Sequence, residues 1–97
     1  MRMLTTKSKQ TLKALAHPMK PIIHVGKKAI SDSLIEEIGA GLLAHGLIKI
    51  KFNESAKDEI ETIINSICEQ TDSELVQIQG NTATIYKKHP QKPKIKL

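Results

Sequence analysis

The sequence predicts an α/β domain in which helices pack a four-stranded mixed sheet in two layers. Three observations carry that prediction. Apolar residues recur at helical spacing in three segments, short β-branched runs separate and follow those segments, and the two kinds alternate in the order α-β-α-β-α-β-β. Strands divided by helices call for parallel pairing through right-handed crossovers, whereas two final strands joined by a tight turn call for a hairpin.

The first helix starts at Thr5 or Thr6, either of which can cap, and runs through Lys13 to Ala16 with Leu12, Leu15 and Ala16 apolar. Pro18 and Pro21 prevent its continuation. Ile22 to Val25 reads as a short strand rich in β-branched residues and closed by Gly26. Beyond the loop Gly26-Lys27-Lys28-Ala29, a second helix is expected, with a capping box at Ser33 and Glu36, an apolar stripe of Leu34, Ile35, Ile38 and Leu42, and a stop at Gly46. Leu47 to Phe52 alternates cleanly, which turns Ile48, Ile50 and Phe52 inward and presents Lys49 and Lys51 side by side on the outer face. The third helix spans Ala56 to Thr71 on a core stripe of Ile60, Ile63, Ile64 and Ile67. Its first turns hold Asp58, Glu59 and Glu61, where the helix dipole favours anions. Leu75 to Gln79 and Thr82 to Lys87 form the last two strands around Gly80-Asn81, a pair suited to a tight hairpin turn. The chain has no internal repeat, and its Lys- and Pro-bearing end lacks a core pattern. The domain is therefore drawn at residues 1–88 and a basic tail at 89–97.

A chain of 97 residues has room for one domain that buries roughly two-thirds of its unfolded surface. Aromatic residues are only 2% of it, so Ile, Leu, Val and Ala must fill the core, and stacking of several nucleobases on a strand platform is disfavoured. The lone Cys68 cannot form an internal disulfide or supply a structural zinc site, which fits a reducing, cytoplasmic setting. No stretch is long and apolar enough for a signal peptide or membrane span. Charge is segregated: +7 over residues 1–31, −7 over 32–74 and +5 over 75–97. Basic ends around an acidic middle imply one face that attracts polyanions and another that does not.

Catalytic signatures are missing. His17, His24, His45 and His89 are scattered, Cys68 falls beside Ile64 and Ile67 as a core residue, and no nucleophile elbow, Walker lysine loop or zinc-binding His-Glu-x-x-His occurs. No metal or cofactor is expected. The sharper signal is the loop Gly26-Lys27-Lys28-Ala29 between a strand and a helix. There glycine permits close backbone approach to a phosphate, and two lysines would neutralise charge and release counterions. Lys20 lies just upstream, and Lys7, Lys9 and Lys13 are spaced so that at least two share a side of the first helix. Lys49 and Lys51 extend the patch if their sheet face is open.

The residues Leu12-Lys13-Ala14-Leu15-Ala16-His17-Pro18, then Lys20-Pro21-Ile22-Ile23 and Gly26, then His45 with Leu47-Ile48-Lys49-Ile50-Lys51, and finally Gln77, Gly80 and Tyr86 carry a resemblance. Together they resemble the YhbY family, the single-domain bacterial form of the CRM (chloroplast RNA splicing and ribosome maturation) domain, over about residues 4–88. The resemblance implies a fold similar to the C-terminal domain of translation initiation factor 3, with helices packed on one side of a sheet. It also implies RNA binding, since bacterial members associate with precursors of the large ribosomal subunit and plant relatives aid intron splicing. The family's loop usually reads Gly-x-x-Gly, like the backbone clamp of KH domains. Ala29 departs from it, and a non-glycine residue at positive φ costs about 1 kcal/mol or more, so Lys27 and Lys28 are expected as phosphate contacts ahead of a KH-type clamp.

The expectation is a monomeric, non-enzymatic protein that binds ribosomal RNA and precursor large subunits through Gly26, Lys27, Lys28, Ala29, Lys20, Lys7, Lys13, Lys49 and Lys51, with Lys87 and Lys88 tethering from the tail. The alternative is an adaptor whose acidic second and third helices bind basic ribosomal proteins, for which Glu36, Glu37 and Glu61 are the exposed candidates.

Overall fold

In the computed structural model, which describes residues 5–26, 31–53 and 57–88, local hydrogen bonds start the first two helices and end all three. Helix α1 (Thr6–Ala16) is capped by Thr5, whose extended backbone lets its hydroxyl accept from the Ser8 amide at 3.0 Å. It closes where the Met19 amide donates to the Ala16 carbonyl at 2.9 Å, with Pro18 in the turn. Strand β1 is Ile23–Val25.

Helix α2 (Asp32–His45) is capped by Ser31, not by the expected Ser33 and Glu36 pair. Capping needs an extended residue, and Ser31 has φ −107° and ψ 161° with its hydroxyl 3.1 Å from the Leu34 amide, whereas Ser33 is already inside the first helical turn. Gly46 ends α2 at φ 79°, a conformation that suits glycine, and its amide donates to Leu42 at 2.7 Å. Strand β2 (Leu47–Phe52) and helix α3 (Lys57–Thr71) follow. Asp72 ends α3 at φ 56° while the Ser73 amide reaches back to the Cys68 carbonyl, a left-handed cap built without glycine. Strands β3 (Glu74–Gln79) and β4 (Thr82–Tyr86) complete the chain. Between them only Gly80 has positive φ, which fits a type II′ turn.

The sheet order is β1-β2-β4-β3, with β1 parallel to β2 and the other two pairings antiparallel. Alternation along β2 divides the molecule. Ile48, Ile50 and Phe52, with Ile23, Val25, Ala83 and Ile85 on neighbouring strands, form the larger core under α2 (Ile38, Leu42) and α3 (Ile60, Ile64, Ile67). Leu47, Val76 and Tyr86 point the other way and pack under Leu12 and Ala16 of α1. Thus α2 and α3 share one face, as the resemblance implied, while α1 covers one end of the opposite face. Val76 reaches that side because a bulge between Leu75 and Gln77 interrupts the β3 register.

Gly39 lies within α2, and a Cβ added there would meet no atom within 4 Å. Gly39→Ala is therefore expected to stabilise the fold by about 0.5–1 kcal/mol, the helix-propensity difference. Thermal unfolding followed by circular dichroism should show a Tm rise of a few degrees; a fall would mean that the glycine is required.

Candidate functional site

The sheet face opposite α2 and α3 can be read in rows from the strand register. Leu47, Tyr86 and Glu74 form the first row, and α1 packs on its Leu47 and Tyr86. The next row is Lys49, Thr84 and Gln77, of which Thr84 is buried and the other two half-buried. The third row crosses all four strands as His24, Lys51, Thr82 and Gln79, with Thr82 half-buried and the other three exposed. At a strand spacing of about 4.8 Å this row is about 14 Å wide.

The open row adjoins one end of the sheet, where several connections meet. Gly26 follows β1 directly. The Asn53 amide donates to the Val25 carbonyl at 2.9 Å, the Phe52 amide donates to the Asn81 carbonyl at 2.8 Å, and the Asn81 side-chain amide donates to the Phe52 carbonyl at 3.0 Å. These bonds fix Gly26, Asn53 and the Gly80-Asn81 turn around the carboxyl ends of the parallel strands β1 and β2, the end at which open α/β sheets place ligands. A Cβ at Gly26 would point into open space, so the backbone there is approachable.

The two outward lysines of β2 have different roles. The Lys49 ammonium donates to the Met19 carbonyl at 3.1 Å and ties the α1–β1 connection to the sheet. Lys51, two residues on and nearer the open end, is exposed between His24 and Thr82. The fold also adds His24, which sequence reasoning placed in a largely apolar strand. Its alternation with Ile23 and Val25 was the available signal, because a period-two strand that buries both neighbours must turn the residue between them outward.

The remaining candidates are dispersed. Lys20 is exposed in the connection anchored by Lys49. Lys9, Lys13 and His17 follow at four-residue intervals and share a flank of α1, while Lys7 lies about 120° around the helix from Lys13. The Lys87 amide donates to the Gly46 carbonyl, which puts Lys87 and the adjoining Lys88 at the sheet end away from Gly26. Lys27, Lys28 and Ala29 lie outside the described residues.

Negative charge lies mainly on the helices of the other face: Asp32, Glu36 and Glu37 on α2 and Asp58, Glu59, Glu61 and Glu69 on α3 are all exposed. The open row contains no carboxylate. Among the described residues no cluster of His, Cys, Asp and Glu could hold a metal, and no helix is long and apolar enough to cross a membrane. Burial pushes the Cys68 thiol above its ordinary value and nearby Glu74 adds to this, while a hydrogen bond with Ser73 pulls the other way. A buried thiol held protonated is a poor nucleophile.

Lys49→Met is expected to cost about 1 kcal/mol, the loss of a half-buried charge-assisted hydrogen bond, and Lys51→Met to change stability by less than about 0.5 kcal/mol. Urea titrations of the two variants check this; equal losses would remove the distinction between an anchoring lysine and an exposed one.

The sequence pattern of the CRS1 / YhbY (CRM) domain family matches residues 4–87. The chain is 34% identical over 95 residues to "Probable RNA-binding protein YqeI" of Bacillus subtilis, covering 98% of this chain and 99% of that one. It is 31% identical over 88 residues to "Probable RNA-binding protein PA4753" of Pseudomonas aeruginosa, covering 91% and 85%. The solution structure of the Staphylococcus aureus protein SAV1595 superposes with a TM-score of 0.85 at 35% identity, over 98% of this chain and 99% of that one.

Proposed function

The chain belongs to the CRS1 / YhbY (CRM) domain family, and on that footing we propose that it is a cytoplasmic RNA-binding protein that holds ribosomal RNA by its phosphates during assembly of the large ribosomal subunit. The observation that carries the reading is the acid-free row His24-Lys51-Thr82-Gln79, where Lys51 and His24 stand exposed beside Gly26 while the exposed carboxylates of α2 and α3 lie on the other face. A polyanion approaching this molecule meets attraction on one side and repulsion on the other. The names of the relatives support RNA as the polyanion.

In this reading Lys27, Lys28 and Lys51 neutralise phosphates, and Gly26 lets the backbone come close. Lys20 and the Lys9–Lys13 flank widen the footprint. No reaction is proposed, because the described groups at this end include no paired nucleophile and base. The exposed acids of α2 and α3 favour a second reading, an adaptor that binds basic ribosomal proteins. Charge reversal at Glu36, Glu37 and Glu61 that abolished particle association while leaving binding to naked RNA intact would select it.

Lys27→Ala combined with Lys28→Ala should weaken RNA binding and flatten its salt dependence, with Tm nearly unchanged. Lys51→Ala alone should lower the slope of log affinity against log salt by about 1. Fluorescence anisotropy across a salt series measures both. Sedimentation of tagged protein in lysate, with crosslinking, tests the assembly role: salt-labile co-migration with large-subunit precursors is expected, and migration only as free protein would overturn it.

A further inference from the structure

We infer that the open row His24-Lys51-Thr82-Gln79 is a docking face for the helical, double-stranded form of RNA, one that uses 2′-hydroxyl and phosphate groups in place of exposed bases. The inference rests on the RNA-binding reading and deepens it by naming the conformation that is held.

The first ground is the absence of a stacking platform. Phe52 and Tyr86, the two aromatic residues of the chain, are 1% and 6% exposed, one under α2 and α3 and the other under α1. The single ring on the open row is the imidazole of His24, at the β1 edge. Sheets that bind single strands need aromatic rings in succession across neighbouring strands, because splayed bases gain their binding energy by stacking.

The second ground is the chemistry that takes the place of aromatic rings. Reading across β1, β2, β4 and β3, the row offers an imidazole, an ammonium, a hydroxyl and a carboxamide, flanked at the sheet end by the carboxamide of exposed Asn53 and the approachable backbone of Gly26. Thr82 and Gln79 each both donate and accept, which matches a 2′-hydroxyl, itself both donor and acceptor. Lys51 and His24 match the phosphates that run beside those hydroxyls. The row is also about 14 Å wide, with no carboxylate in it. A polar sheet surface of that width suits the wide, shallow minor groove of an A-form helix, where 2′-hydroxyls are displayed. A DNA duplex offers the phosphates without the hydroxyls, and a single strand offers bases for which the row has no stacking partner.

The test compares three labelled probes with the full-length chain by anisotropy at one salt concentration: a short RNA hairpin, the DNA hairpin of the same sequence, and a single-stranded RNA of the same length. The RNA hairpin is expected to bind about tenfold more tightly than either of the others, the effect of one or two ordinary hydrogen bonds. Thr82→Val with Gln79→Ala should bring the ratio of RNA hairpin to DNA hairpin close to one while leaving DNA affinity unchanged. If that pair disturbs the fold, 2′-deoxy substitution within the RNA stem makes the same comparison with wild-type protein. Equal binding of both hairpins, or preference for the single strand, overturns the inference and leaves RNA binding standing. Failure to bind any of the RNAs overturns RNA binding itself, and the inference with it.

Discussion

The period-two alternation of β2 is the constraint on which the rest of the structure depends. Its even-numbered residues, Ile48, Ile50 and Phe52, build the core beneath α2 and α3, and its odd-numbered residues divide further, with Leu47 going to α1 and Lys49 and Lys51 going to the polar surface. A one-residue slip in register would exchange these sets and bury two lysines in the larger core. The pairings on either side hold that register. Parallel β1 aligns Ile23 with Ile50, and antiparallel β4 aligns Ile85 with Ile48, so three strands agree about which face is dry. The acid-free row is a by-product of that agreement, because whatever faces away from the core on all four strands is brought into line.

Most of the fold could be read from residue spacing. The isoleucines of α3 recur at helical intervals and β2 alternates from Ile48 to Phe52, so both were plain from sequence. The start of α2 was not. The pattern of Ser33 and Glu36 matches a capping box, yet the residue with extended backbone is Ser31, and that choice depends on how the preceding loop delivers the chain, which spacing does not encode. The second-face position of α1 left a trace that reading strand by strand overlooked. Leu47 shares parity with Lys49 and Lys51, and Tyr86 shares parity with Thr82 and Thr84, so each strand carries an apolar residue at one end of its polar face. Two such residues in register require a cover, and α1 supplies it.

The candidate site was legible in part for the same reason. Lysines are visible in a sequence wherever they fall, but whether a lysine is spent on structure depends on a partner distant in the chain. Lys49 and Met19 are thirty residues apart, and their bond separates an anchoring lysine from the exposed Lys51 two residues on. His24 was obscured by its apolar neighbours. The polar contributions of Thr82 and Gln79 were invisible until the hairpin register set them in line with Lys51. The acids of α2 and α3, by contrast, were evident from sequence as an acidic middle third, and packing those helices on one face turned a linear charge pattern into a two-sided molecule.

The separate packing of α1 bears on how the molecule opens. Leu12 and Ala16 are its fully buried side chains, and they meet Leu47, Val76 and Tyr86 in a cluster apart from the larger core. Proteins open in cooperative units whose free energies follow the apolar surface that each one buries. Lifting α1 therefore leaves the α2–α3 core and all four strands intact, and this sub-global opening requires less free energy than complete unfolding. Amide hydrogens of α1 would exchange ahead of those in β2 and α3, giving a hierarchy of protection. In the opened state the sheet face is uncovered along its whole length, from His24 down to Tyr86.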